Sequence, residues 1–207
     1  MKKMVSLVLA VAMLLSVSLA SAKTLEPGIS SESHVAGLVI NATVGEYNAE
    51  TKTFRVTLYE NDSFPYEEVE KLAAGDNVLA GGNLYKVKDI EKDEGGDVTV
   101  GTEDGLKLSF VTVGDENMIL MDSESDDRVF MHAFAIMNLP AAEGLVYEDN
   151  SDPEKTEAVI TTGLEEILKI KEEKEKTSIG FNFYSTLIEL NENMEIVRIH
   201  QNYDVAQ

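Results

Sequence analysis

Thr53-Phe54-Arg55-Val56-Thr57-Leu58-Tyr59 is the stretch that decides the fold. Phe54, Val56 and Leu58 alternate strictly with Arg55, Thr57 and Tyr59. Successive side chains of a strand point to opposite faces, so this is a strand with one face buried and the other in water. Moving outward, the same grammar repeats. On the N-terminal side Leu38, Ile40, Ala42 and Val44 alternate, separated from the first stretch by the polar run Gly45–Lys52. On the C-terminal side apolar runs occur at 77–80, 84–90, 98–100, 106–113 and 118–121. Gly81-Gly82, Asp93-Glu94-Gly95-Gly96, Asp104-Gly105 and Gly114-Asp115 divide them. Short strands with turn signals at this spacing mark a sandwich or barrel.

One helix interrupts the series. Pro65 followed by Glu67 and Glu68 suits a helix N-terminus, Val69 and Leu72 supply its apolar face, and Gly75 stops it. The turn Gly75-Asp76 and the strand Gly82-Asn83-Leu84-Tyr85-Lys86-Val87, with Leu72 before and Ile90 after, resemble small SH3-like or OB-like barrels, which carry a Gly-Asp turn and a Gly-x-x-Tyr-x-Val strand. The resemblance covers about a quarter of the chain beyond its leader and implies a fold class, not an activity.

Farther on, Val129–Asn138 reads as an apolar strand and Leu145–Tyr147 as another. Thr162-Gly163-Leu164-Glu165 fits a capping box opening a helix with the stripe Leu164, Ile167, Leu168. Ile179–Leu190 and Met194–Tyr203, turning at Asn191-Glu192-Asn193, form a closing hairpin. The expected fold is α+β and mainly β: a small barrel-like or strongly bent antiparallel sheet with one or two short helices and a C-terminal β-hairpin. Residues 34–121 are expected to form the barrel-like domain and 122–207 a β-rich extension packed on it. Residues 23–33, with Pro27, Gly28 and three serines, read as a flexible leader.

Residues 1–22 carry an export signature. Lys2 and Lys3 precede an apolar run to about Leu19, and Ala20-Ser21-Ala22 is a small-x-small cleavage pattern. The run falls short of the about 20 apolar residues that span a bilayer. No Cys follows it for a lipid anchor and no twin Arg precedes it. The expectation is a secreted or periplasmic protein, with no membrane anchor after cleavage behind Ala22.

The net charge is −21, and losing Lys2 and Lys3 with the signal takes it to −23. Such a charge repels phosphate backbones and argues against nucleic acid as a partner. The chain has no Cys, which removes thiol nucleophiles, thiolate metal sites and disulfides.

Candidate chemistry is sparse. Of the histidines, His34 adjoins the leader, and His200 sits on a strand with Ile196 and Arg198. His132 alternates with Phe130, Phe134 and Ile136 inside an apolar strand, with no partner nearby in sequence. That pattern favours a packed role over a metal or catalytic one. Met118, Met121, Met131 and Met137 with His132 suggest copper, but strand alternation splits them between faces, and Met is an ordinary core filler. Asp122, Glu124 and Asp126 place acids at alternate loop positions, the spacing of a calcium loop. The sixth position is Asp127 rather than Gly and the twelfth is Ala133, so this is no EF-hand. Calcium through Asp122, Glu124 and Asp126 is therefore a secondary expectation, and no other cofactor is indicated. No G-x-S-x-G, H-E-x-x-H or phosphate-binding glycine loop occurs.

The leading expectation is an exported, acidic, non-catalytic binding or interaction module for an extracytoplasmic ligand or protein. The alternatives are a carboxylate-based, glycosidase-like hydrolase of a cell-surface or environmental polymer, and a calcium-stabilised surface protein. A hydrolase of that kind needs two carboxylates facing one cleft.

Overall fold

The computed structural model describes residues 22–28, 39–113, 116–123, 128–176 and 180–203. The segment 1–21, which holds nearly all of the expected export signal, lies outside them. The described chain is mainly β, with a strongly curled, half-barrel sheet, as the alternating runs require.

The curled sheet is built from β2 (Val39–Asn48), β3 (Thr53–Asn61), β11 (Met131–Asn150), β12 (Val159–Thr162), β13 (Thr186–Leu190) and β14 (Ile196–Asn202). The long β2 pairs with β13 through Val39–Asn41 and with β3 through Ala42–Asn48. β11 pairs antiparallel with β3 over Met131–Pro140, then parallel with β14 from Ala141 to Asn150. β13 and β14 form the closing hairpin. The pairings thus run β2–β3–β11–β14–β13 and back to β2. This circuit, with its one parallel pair and a helix before its fourth strand, resembles the connectivity of an OB-type five-stranded Greek-key barrel. β12 lies outside the circuit on β11.

The expected strands 129–138 and 145–147 merge into the single β11, which begins at Met131, while Val129 lies in the short strand before it. Pro140 sits where β11 exchanges β3 for β14, a place where a missing N–H costs least. The helix α2 (Leu164–Lys174) lays Ile167 and Leu168 on the barrel interior. Its expected capping box does not form. Thr162 is still in the ladder opposite Val146, and Gly163 is the N-cap at φ 93 with no side-chain cap. The hairpin is also shorter than expected. Asn182 accepts from the N–H groups of Ser185 and Thr186, so 182–185 forms a turn, and Ile179 is outside the described residues.

The second sheet comes from the segment between β3 and β11. It contains β4 (Ser63–Pro65), β5 (Asn77–Ala80), β6 (Asn83–Lys92), β7 (Val98–Thr102), β8 (Lys107–Val113), β9 (Asn117–Asp122) and β10 (Arg128–Val129). β5 to β9 form an antiparallel meander, and β4 and β10 lie one after the other along the far edge of β9. The helix α1 (Tyr66–Val69) begins directly after Pro65, as the Pro and acidic first turn imply. On the other edge, β1 (Thr24–Leu25) runs parallel to β5, and Gly28 bridges to Ser63 of β4. Thr24, Leu25 and Gly28 of the expected flexible leader are therefore paired backbone, and Leu25 has a buried seat in the core of this sheet.

The cores part the chain differently from the expected division at residue 121. One holds Ala42, Val44, Phe54, Val56 and Leu58 together with Leu139, Tyr147, Ile167, Ile188 and Ile199. The other holds Leu25, Phe64, Val78, Val98, Leu108, Phe110 and Leu120. The second sheet is an insertion between the second and third strands of the barrel.

Candidate functional site: the junction and the outer barrel face

The chain crosses between the sheets at Asp62 and again at Phe130. Three backbone hydrogen bonds tie the crossings together: Asp62 N–H to Phe130 O at 2.8 Å, Leu120 N–H to Asp62 O at 3.0 Å, and Phe130 N–H to Leu120 O at 2.8 Å. One residue of β9 is thus the common partner of both crossings.

The side chains here follow from the alternation of β3. Phe54, Val56 and Leu58 point inward, so the same face continues into Glu60 and Asp62. Opposite Glu60 in the ladder stands His132. Its Nδ1 lies 2.7 Å from Asp62 Oδ1, and its Nε2 lies 3.1 Å from Glu60 Oε1. The Glu60 contact is an ion-pair distance without hydrogen-bond alignment. Asp62 is fully buried, and its other oxygen accepts from Gly81 N–H at 2.6 Å. Gly81 has φ 55, and a Cβ there would stand 3.2 Å from the Phe130 ring.

This cluster has the residue types of acid–base chemistry in an arrangement unsuited to it. Both ring nitrogens face carboxylate oxygens, both Asp62 oxygens are engaged, and Asp62 has no solvent face. The His132 side chain is 20% exposed. The cluster is a clasp: a buried carboxyl is tolerated because an imidazole and a backbone N–H partner its two oxygens. His132 is packed, as its apolar surroundings suggested, but it has partners that no sequence neighbour revealed. The available signal was parity, since 60 and 62 share the face of 54, 56 and 58.

The opposite face of β3 presents Arg55, Thr57 and Tyr59. Beside them β11 presents Asn138 opposite Arg55 and Ile136 opposite Thr57, and β2 presents Thr43 opposite Thr57. None of these side chains is a carboxylate, although acids outnumber bases by 38 to 17 in the chain. Ile136 is 63% exposed at the centre of this face. At one end lies a recess of about 610 Å³ lined by 46–51, Thr53, Arg55 and Asn138, and Glu46 and Glu50 bring carboxylates to this end. At the other end Tyr59 stacks on Phe183 with centroids 4.0 Å apart, and Phe183 contacts Tyr184 at 4.0 Å. Arg128 lies 4.4 Å over the Tyr184 ring, so this aromatic column joins the barrel to the inserted sheet. Asn41 holds the column's backbone by donating to Phe183 O at 2.8 Å.

The other predicted residues are scattered. Asp122 ends β9 opposite Arg128, while Glu124 and Asp126 lie outside the described residues. Among the described residues no group of three or more His, Cys, Asp or Glu is placed to hold a metal ion. Met118 is buried in the inserted core, whereas Met137 packs on the barrel core. His200 lies beside Glu148, 3.5 Å from Nδ1 to Oε2. Among the described residues no helix is long and apolar enough to cross a membrane.

Comparison with protein-family models, with curated proteins and with solved structures returned no match.

Proposed function

We propose that the mature protein is an exported, non-catalytic binding module whose ligand lies along the outer face of β3 and β11. The observation that carries this reading is the carboxylate-free strip of Arg55, Thr57, Tyr59, Ile136 and Asn138 in a chain of net charge −21. Charge depletion with aromatic enrichment distinguishes the centre of a binding patch from ordinary surface. From Arg55 to Tyr59 the strip spans about 13 Å at strand rise. It offers hydroxyl, amide and guanidinium groups for hydrogen bonding and a ring at one end. The surrounding acids disfavour polyanions. An uncharged, hydroxyl-rich chain such as a neutral oligosaccharide matches both the strip and its surroundings, and the corresponding barrel face in OB-type folds is a ligand face.

The test is a titration of the ¹⁵N-labelled mature chain with neutral β-glucan and xylan hexasaccharides, with single-stranded DNA as the polyanionic control. Shift changes are expected at 41–47, 53–59 and 133–138, with none for DNA. Tyr59→Ala and Thr57→Glu are each expected to weaken binding about tenfold, the loss of one stacked or bonded group. Shifts mapping elsewhere, or none with any neutral chain, would refute the reading.

A further inference from the structure

The segment 23–28 closes the inserted sheet, and its first residue is the one that cleavage behind Ala22 would make the N-terminus. Lys23 N–H donates to Asp76 Oδ1 at 3.0 Å, and Asn77 N–H returns a bond to Lys23 O at 2.8 Å. The Lys23 ammonium pairs with Glu68 of the α1 helix. From there Thr24 and Leu25 run in register with Asn77 and Val78, and Gly28 N–H reaches Ser63 O at 2.8 Å. Asp76 is itself held in place, because its second oxygen accepts from Ala73 N–H at 3.0 Å.

We propose that signal-peptidase cleavage after Ala22 is also a folding step: it sets a new α-ammonium on Lys23 against the waiting Asp76 carboxylate and so locks the strap that closes the inserted sheet. The inference rests on the export reading above. Hydrolysis adds one water across the Ala22–Lys23 amide. The C–N bond breaks, Ala22 leaves as a carboxylate, and the Lys23 nitrogen, now an amine, takes a proton at neutral pH. A neutral N–H···carboxylate bond becomes a charge-assisted one at the same position, which is shorter and stronger. Lys23 then carries two cations, each facing its own acid. In a chain whose side-chain charge goes from −21 to −23 when Lys2 and Lys3 are lost with the signal, that placement also relieves like-charge repulsion. One residue more moves the amine about 3.3 Å along the strand and leaves Asp76 with a plain amide.

Two chains released in vitro from a fusion test this, one beginning at Lys23 and one retaining Ala22, each with Asp76 or Asp76→Asn. In low salt the Lys23 chain is expected to melt about 1–3 °C above the Ala22 chain. The advantage should vanish in Asp76→Asn and shrink in molar sodium chloride, where the screening length falls to about 3 Å. Equal melting of the two Asp76 chains, or an advantage that survives high salt, overturns the lock. Should Asp76→Asn fail to fold, the salt comparison still decides. Intact mass of the exported protein separates the two readings. A chain that keeps residues 1–22 overturns both, whereas cleavage at another bond, or a Lys23 terminus with equal melting, overturns the lock alone.

Discussion

Replacing Asp62 by Ala should uncouple the two sheets. The carboxylate is fully buried and engages Gly81 N–H at 2.6 Å and His132 Nδ1 at 2.7 Å. Its loss leaves an N–H and an imidazole nitrogen facing a void. Breaking a buried pair from one side costs about 3–5 kcal/mol, and the orphaned N–H falls within that figure. For a chain of this size the loss corresponds to a melting midpoint lower by about 6–20 °C. Asp62→Asn keeps the shape, offers its amide oxygen to Gly81, and places its NH₂ beside His132 Nδ1. Its expected cost is about 1–2 kcal/mol. His132→Ala should cost less in the Asp62→Ala background than in the native chain, with a coupling of about 0.5–3 kcal/mol. Guanidinium unfolding followed by circular dichroism measures all five proteins, the native chain included. A loss under about 1 kcal/mol for Asp62→Ala, or equal losses for Ala and Asn, would refute the clasp.

Phe54→Ala and Phe110→Ala should each cost about 3–5 kcal/mol. Because the two rings lie in separate cores, the double variant should lose the sum to within about 0.5 kcal/mol, and chemical denaturation of the three variants checks both points. Glu148 accepts from Arg198 Nη1 at 2.8 Å; that bond, and then one from Asn150, hold its carboxyl below the ordinary value of 4.5. A depressed carboxyl stabilises the fold above its unfolded value and ceases to do so as pH falls through the folded one. Stability should therefore decline below about pH 4.5, less steeply in Arg198→Met, by under about 1 kcal/mol for a partly exposed pair. Superimposable pH–stability curves would dismiss the contribution.

Much of the local structure was legible in the chain. Alternation at 53–59 names both the buried face and the exposed one, and glycine pairs end the strands where the structure ends them. Periodicity places Phe54, Val56, Leu58, Leu106, Leu108 and Phe110 on buried faces, because a half-buried strand needs no knowledge of its neighbour; all are buried except Leu106, which lies just before β8 and is only partly covered. The same rule held the clue to the clasp, since Glu60 and Asp62 continue the inward face. Read as polar residues at a strand end, they pass for solvent-facing acids.

Partnership was not legible. Alternation tells a strand which face to bury and is silent about which strand lies beside it. Residues 39–61 have turn-linked strands immediately downstream, so local reading joined them to 63–121. The structure joins them instead to β11, β13 and β14, because only the circuit β2–β3–β11–β14–β13 encloses the Phe54, Val56 and Leu58 face against Leu139, Ile188 and Ile199. His132 and Asp62 meet across 70 positions for the same reason. The pairing of β3 with β11 brings them together, and no pattern within either segment encodes it. Composition, periodicity and turn chemistry act over a few residues and are written in the sequence. Closure of a barrel and the seat of an insertion depend on burying two distant faces at once, and tertiary contact alone decides them.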